Sequence, residues 1–229
     1  MNILALDTAD QVFSVALAGE GGFWYTEIDA GSRHSELLMT CASGLCENAG
    51  LKPENLGLVA CMKGPGSFTG LRIGLSAAKG MALALNIPLA AVPTLDCLAY
   101  PFSAWPGIVV PAMDAKKSCF FTALYRGGKR LTGYMDASPQ TLGEELAKAR
   151  LSPDERVILT GCGAQLLFPQ LAAFFPPEYT FIAPGARRGS ARELLEIAKN
   201  AIVQDTEINS GPVYLRKSDA ELNKVKAGT

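Results

Sequence analysis

The stretch with the clearest chemical potential is a glycine-rich turn that runs directly into a helical pattern, Lys63-Gly-Pro-Gly-Ser-Phe-Thr-Gly-Leu-Arg-Ile-Gly74. Ser67 can cap the helix, because its hydroxyl can accept a hydrogen bond from an amide of the first turn. A helix start behind such a turn is also a natural phosphate site. The stretch lacks the Gly-Lys-Ser/Thr of a Walker A loop and the spacing of a dinucleotide-binding loop. Two hypotheses therefore stay open: an anion at the helix start, or close packing along the helix.

Two aspartates end apolar strand patterns, Asp7 in the first half of the chain and Asp114 in the second. Aspartates so placed, together with Thr8 and the turn Gly161-Cys-Gly163, could hold the metal and phosphates of a nucleotide. The turns directly behind both aspartates contain no glycine, so they offer few backbone amides to a phosphate. The competing hypothesis makes Asp7 and Asp114 turn residues that cap strand ends. We carry Asp7, Thr8, Asp114, Gly161 and Gly163 as the candidate nucleotide residues.

The sequence offers few residues for a metal site or for hydrolase catalysis. His34 is the single histidine, in His34-Ser-Glu-Leu-Leu38. A helical zinc site needs two histidines one turn apart, and the second position here is Leu38. No nucleophile elbow accompanies His34 either. The sequence predicts neither a bound metal nor a catalytic residue.

Composition describes a globular chain of 229 residues, with 48% hydrophobic and 19% charged residues. The net charge of −1 argues against extensive direct binding of nucleic acid. Six cysteines without close-spaced pairs predict buried thiols in a reducing compartment. No apolar run approaches the roughly 20 residues of a membrane span, and no leader pattern opens the chain. We expect a cytoplasmic protein that does not bind membranes.

The elements that position these residues occur twice. The first half predicts strand, strand, strand, helix, strand, helix, and the pattern from Ala5-Leu-Asp7 returns at Ala112-Met-Asp114, offset by 107 residues. Residues 101–107, with two prolines and a glycine, predict a linker. We therefore predict an α/β protein of two duplicated βββαβα lobes, 1–102 and 103–229, with the C-terminal helix packing back on the first lobe. Such lobes are typical of actin-like ATPases, so one function hypothesis is an autonomous ATPase or small-molecule kinase.

Several element boundaries are specific enough to test. We expect Ser32 to cap the first helix, and a third strand of the second lobe at Leu131–Met135. We also expect helices at residues 164–174 and 190–203.

A second function hypothesis is a binding subunit. Glycine inside a helix costs about 1 kcal/mol against alanine, so Gly70, Gly74 and Gly80 require a reason. The small residues of this helix leave a flat strip that another subunit's backbone could approach. The helix over 34–48 is expected beside it. The glycines are interpreted as clearance for a partner.

Three motifs resemble the bacterial TsaB (YeaZ) family: Asn2-Ile-Leu-Ala-Leu-Asp-Thr-Ala9, the stretch from Lys63 to Gly74, and Pro212-Val-Tyr-Leu-Arg216. The resemblance implies an actin-like/Hsp70-like (ribonuclease H-like) ATPase fold with a degenerate nucleotide site and no catalysis by this chain alone.

The same resemblance implies the partners. It suggests pairing with the catalytic paralogue TsaD, or with itself, for threonylcarbamoyl modification of tRNA adenosine 37. It also implies the ATPase TsaE, tRNA contacted only through the complex, and ATP or ADP near the subunit junction but no cofactor of the chain's own. The predicted interface residues are His34, Leu38, Ser67, Phe68, Gly70, Arg72, Gly74, Ser76, Ala77 and Met81.

Overall fold

The computed structural model describes residues 1–185, 189–201 and 211–216. The first lobe consists, in order, of β1 (Asn2–Asp7), β2 (Val12–Gly19), β3 (Gly22–Asp29), α1 (His34–Asn48), β4 (Leu56–Gly64), α2 (Phe68–Leu85), β5 (Leu89–Pro93) and α3 (Thr94–Ala99). The sheet order is β3-β2-β1-β4-β5. The strands β1, β2 and β3 are antiparallel neighbours, whereas β4 and β5 run parallel to β1. The central strand β1 is buried on both faces, which explains its continuous apolar sequence.

The second lobe repeats this topology. Its elements are β6 (Ile108–Asp114), β7 (Phe120–Thr122), β8 (Tyr125–Arg126), β9 (Lys129–Arg130), β10 (Met135–Ala137), α4 (Pro139–Ala149), β11 (Val157–Thr160), α5 (Ala164–Leu171), β12 (Thr180–Ile182) and α6 (Ala191–Ala201). The order β10-β7-β6-β11-β12 has the same antiparallel and parallel sense as the first sheet, and the small hairpin β8–β9 attaches to β6. The predicted duplicated actin-like, ribonuclease H-like fold is confirmed.

Some predicted boundaries are wrong. The N-cap of α1 is Arg33 rather than Ser32, and no side chain caps this helix. The third strand of the second lobe is β10, and residues 131–134 lie outside any strand. Helix α5 ends at Leu171, two residues after Pro169, which cannot donate an intrahelical hydrogen bond. The predicted end of the last helix, at 203, lies outside the described residues.

Two helical layers enclose the first sheet. Helices α1 and α2 bury Leu38, Leu75 and Ala78 against one face. Helix α6 is the last element of the second half of the chain, yet it packs on the opposite face of the first sheet. That second core also includes residues of β6, so it is continuous between the lobes.

A polar cluster also joins the lobes beside this core. The Asp96 carboxylate, on α3, accepts hydrogen bonds from the Tyr125 and Tyr134 hydroxyls of the second lobe. Arg130 stacks on the Tyr134 ring, with its guanidinium carbon 4.0 Å from the ring centroid. Shared core and polar cluster together fix the lobes against one another.

No helix in the part of the chain that the structure describes has the length and hydropathy required to span a bilayer.

Candidate functional site

A cleft of about 870 Å³ lies between the lobes, where the carboxyl ends of β1 and β6 meet. Its walls are the turns that follow these two strands, the start of α2, and a C-terminal segment at residues 213–216. This is the position at which open α/β folds bind ligands, because strand ends and helix starts converge there. The predicted nucleotide residues are therefore expected to line this cleft.

The start of α2 is held tightly against the turn after β1. The Ser67 hydroxyl accepts a hydrogen bond from the Gly70 amide at 3.3 Å, which confirms the predicted cap. The Ser67 amide donates to the Ala9 carbonyl at 2.7 Å. A Cβ atom on Gly66 would lie 2.7 Å from that same carbonyl oxygen. The glycine-rich turn is thus required for close packing of the chain on itself.

Gly70 and Gly74 are also explained by close packing within the chain, and not by clearance for a partner. Both are buried, and both face Thr8. A Cβ atom on Gly70 would lie 2.1 Å from the Thr8 carbonyl oxygen, and one on Gly74 would lie 2.2 Å from the Thr8 hydroxyl oxygen. Contacts this short are not tolerated, so β1 and α2 can approach only because these side chains are absent. Neither glycine presents a surface to another subunit.

Asp7 and Thr8 are directed away from the cleft. The Asp7 carboxylate is buried and accepts hydrogen bonds from the Ala9 amide at 3.0 Å and from the Ser190 amide at 2.7 Å. The Thr8 hydroxyl donates to the Gly70 carbonyl. Burial raises the pKa of Asp7 to about 6, although the two backbone amides oppose the rise. Asp7 holds the start of α6 and Thr8 holds α2, and neither side chain lines the cleft, so the structure gives their assignment to nucleotide no support.

Asp114 is the predicted nucleotide residue that does line the cleft. Its carboxylate forms a 2.6 Å ion pair with Lys116 and accepts from the Lys116 amide. Burial acts to raise the pKa of Asp114, but the hydrogen bonds and charge of Lys116 outweigh it and hold the pKa below its ordinary value. Three successive residues, 116–118, have left-handed backbone angles, with φ between 54° and 61°. The turn thus presents an internally paired carboxylate to the cleft.

Gly161 and Gly163 serve packing as well. Gly161 has a φ of 86°, and its Cβ would lie 2.6 Å from the Ala112 carbonyl oxygen. The Gly163 amide donates to that oxygen at 2.9 Å. Both glycines thus allow the turn before α5 to pack closely on β6. The assignment of Gly161 and Gly163 to nucleotide is not supported by their positions, since neither borders the cleft.

His34 and Leu38 are also buried rather than presented at a surface. Leu38 belongs to the core beneath α1. The His34 Nε2–H donates to the Asp10 carbonyl at 2.7 Å, and the ring packs against Phe13 with 5.7 Å between centroids. These contacts fix the start of α1. The two positions are therefore unsuited to direct contact with a partner.

The other predicted interface residues are accessible on α2. Ser67, Phe68, Arg72 and Ser76 are exposed, and Ala77 and Met81 are partly exposed. We use the name outer face for the exposed side of α1 and α2 that is directed away from the first sheet. Its accessible members on the two helices are Met39, Thr40, Ser43, Ser76, Gly80 and Leu83. The interface assignment of the accessible α2 residues stays a prediction.

Sequence reasoning missed the role of the C-terminal motif. Residues 212–216, which we call the strap, cross the mouth of the cleft from one lobe to the other. The Val213 amide donates to the Lys63 carbonyl at 2.6 Å in the first lobe. The Arg216 guanidinium makes two 2.6 Å hydrogen bonds to the Asp136 carboxylate in the second. The motif itself was visible, but its contacts are more than 70 residues away in sequence and left no local signal.

The cleft contains few groups suited to catalysis. The Cys162 thiol borders it, but burial first and then nearby Asp10 raise the pKa of Cys162 to about 12, so the thiol is protonated at neutral pH. Asp114 is already paired with Lys116. Within residues 1–185, 189–201 and 211–216, no three histidine, cysteine or acidic side chains lie close enough together to hold a metal ion. Besides Asp114, the charged residues that line the cleft are Asp10, Lys116, Lys117 and Arg216.

The chain is similar to several known proteins. A family model described as "TsaD: tRNA N6-adenosine threonylcarbamoyltransferase" matches residues 22–175. A Bacillus subtilis (strain 168) relative, named tRNA threonylcarbamoyladenosine biosynthesis protein TsaB, is 35% identical over 127 residues, which span 55% of this chain and 56% of that protein. The Escherichia coli (strain K12) protein of the same name is 29% identical over 230 residues, 96% of each chain. The solved structure of YeaZ from Pseudomonas aeruginosa superposes with a TM-score of 0.77 at 25% identity, covering 93% of this chain and 99% of that one.

Proposed function

The chain belongs to the bacterial TsaB (YeaZ) family, and from that premise we propose that it is a non-catalytic subunit for threonylcarbamoyl modification of tRNA adenosine 37. In this proposal it acts by pairing its outer face with a TsaD protein, the catalytic paralogue. TsaD is the name of the family model that matches this chain, and the two proteins therefore share a common lobe architecture.

Two helix glycines with open space beside them carry the proposal. Gly44 lies in α1 and Gly80 in α2, and a Cβ atom on either would meet nothing within 4 Å in this chain. A glycine inside a helix nevertheless costs about 1 kcal/mol relative to alanine. Gly70 and Gly74 compensate for that cost through their packing on Thr8, whereas Gly44 and Gly80 have no such contact. Close approach of a second helix pair would supply the missing compensation.

The exposed apolar side chains of the outer face agree with this. Met39 on α1 is 50% exposed, and Leu83 on α2 is 64% exposed. Small and apolar residues together suit a helix-to-helix contact, in which backbones approach closely and methyl groups exclude water. A subunit surface is the simplest use of such a composition.

The cleft supports the non-catalytic part of the proposal. An autonomous ATPase or kinase needs free carboxylates for metal and glycine turns for phosphates. Here Asp7 holds α6 and Asp114 is paired with Lys116. We accordingly place nucleotide at the subunit junction of the complex rather than in this cleft, with the ATPase TsaE as a further partner. Self-pairing through the same outer face is the state we propose for the chain without TsaD.

A charge placed at Leu83 tests the pairing. Leu83→Asp should abolish binding to TsaD of the same genome in a titration by interferometry, because a carboxylate would be buried unpaired in the contact. The matched control is Leu151→Asp, the same substitution at a site that is 81% exposed in the second lobe. It should bind TsaD as the unmodified chain does. Wild-type affinity in the Leu83→Asp variant would remove the outer face from the interface.

Measuring ATP hydrolysis tests the alternative function, an autonomous ATPase. The purified chain alone should hydrolyse ATP no faster than buffer. Robust turnover that Asp114→Ala abolishes would favour an autonomous ATPase, since Asp114 is the predicted nucleotide residue at the cleft.

A further inference from the structure

We propose that the strap forms part of the surface that binds the TsaD-type paralogue, by extending the outer face beyond the first turn of α2. This inference rests on the proposed function, because it enlarges the same pairing surface. The partner chemistry is an apolar side chain that packs on the strap's aromatic ring, with a carboxylate near Arg72.

The geometry begins with a stripe along α2. Phe68, Arg72, Ser76 and Gly80 follow one another at intervals of four residues, and Leu83 lies one turn beyond. Residues at this spacing share one side of a helix, and all five are exposed. The stripe therefore runs from the middle of the outer face to the N-terminal end of α2.

The strap meets the stripe at that end. The Tyr214 ring packs on the Phe68 ring with 5.0 Å between centroids, and the Tyr214 hydroxyl accepts a 2.9 Å hydrogen bond from Arg72 Nε. The Arg72 guanidinium carbon lies 3.7 Å from the Phe68 ring centroid. Each of the two rings stays 38% exposed. Tyr214, Phe68 and Arg72 thus form one composite patch that continues the stripe.

This patch has the composition and order of an energetic centre of an interface. Tyrosine and arginine are the residue types most often found at such centres, since they combine large contact area with hydrogen bonds. The three side chains already hold one another in place before any partner binds. Less side-chain entropy is then lost on association than with freely rotating groups.

Anchors on either side of Tyr214 keep the strap in place. The Val213 amide donates a hydrogen bond to the Lys63 carbonyl, and a Cβ atom on Gly64 would lie 2.5 Å from the Val213 carbonyl oxygen. Arg216 is bonded to Asp136 and to the Ala115 carbonyl. Because its anchors lie outside the patch, a partner can cover Tyr214 without displacing the strap.

The affinity for TsaD tests the proposal. Tyr214→Ala should raise the Kd for TsaD roughly tenfold, the loss typical of an interface aromatic. The matched control is Phe181→Ala, which removes a ring of similar exposure, 41%, from the edge of the second sheet and should leave the Kd unchanged. A change below about threefold for Tyr214→Ala overturns the proposal. If Leu83→Asp also binds normally, the proposed function fails as well; if Leu83→Asp alone loses binding, only the inference about the strap fails.

Hydrogen exchange of the unmodified chain provides a test that needs no variant. The Val213 amide should exchange at least several-fold more slowly in the TsaD complex, because the partner covers the strap and suppresses its local opening. Unchanged exchange, or faster exchange from a displaced strap, overturns the proposal.

Discussion

The buried carboxylate of Asp7 makes the stability of the protein depend on pH in a direction that is unusual for an acidic side chain. Its pKa is raised from 3.8 to about 6, so the folded state holds a proton at pH values where the unfolded chain has released it. The stabilising contribution is therefore complete below pH 3.8 and is lost as the pH rises through 6. The corresponding free energy is about 3 kcal/mol, since a tenfold change in proton affinity is worth 1.36 kcal/mol.

The Asp7→Asn variant isolates this contribution. Urea unfolding followed by circular dichroism at pH 4, 5, 6 and 7 gives the free energy of unfolding of both proteins. The difference between them, wild type minus variant, should fall by about 2 to 3 kcal/mol from pH 4 to pH 7, because only the wild type ionises at this site. A constant offset is expected in addition. Asparagine has one acceptor oxygen, whereas Asp7 accepts from the Ala9 and Ser190 amides with separate oxygens.

A non-titrating control lies at the same helix start. The Ser14 hydroxyl accepts a 3.0 Å hydrogen bond from the Ala191 amide. Ser14→Ala should therefore destabilise the protein by about 1 to 2 kcal/mol without changing the pH profile. A difference between wild type and Asp7→Asn that is the same at every pH would refute the reasoning, because it would mean that Asp7 ionises alike in the folded and unfolded states.

Two further perturbations address packing and the contact between the lobes. Gly74→Ala should lower the free energy of unfolding by roughly 1 to 3 kcal/mol through the clash with Thr8, whereas Gly80→Ala should raise it by about 1 kcal/mol, in urea titrations. Destabilisation by both substitutions would contradict the open space at Gly80. Asp96→Ala should cost about 2 kcal/mol in the same assay, because two part-buried tyrosine hydroxyls lose their acceptor. An unchanged unfolding midpoint would mean that the shared core alone holds the lobes together.

Local patterns in the sequence account for most of the fold. The apolar runs that end at Asp7 and Asp114 predicted β1 and β6, and the duplication predicted that the second lobe repeats the element order of the first. The strand prediction failed where pairing with another strand, rather than local composition, decides the structure. The residues between β9 and β10 have strand-like composition but no partner strand, so tertiary context overrode propensity there. The family resemblance did not depend on these element boundaries, because it was based on three specific motifs.

The candidate nucleotide residues Asp7 and Asp114 show that local sequence does not predict long-range contacts. The sequence places Asp7 and Asp114 at equivalent strand ends, and the structure keeps that equivalence in the backbone. What separates them is the helix that reaches each site: the start of α6 delivers the Ser190 amide to Asp7, whereas Asp114 is left to Lys116. Helix α6 comes from more than 180 residues along the chain. No local pattern at residue 7 could have specified that contact.

The glycines of α2 could have been sorted from the sequence, and the helical period shows how. Gly70 and Gly74 are one turn apart and share a side with the buried Leu71 and Ala78. Gly80 lies on another side, among exposed residues. The three glycines therefore do not form one strip. Gly70 and Gly74 allow β1 and α2 to pack closely, whereas a Cβ atom on Gly80 would meet nothing within 4 Å in this chain. Packing within the chain therefore explains Gly70 and Gly74, whereas it leaves Gly44 and Gly80 without an explanation.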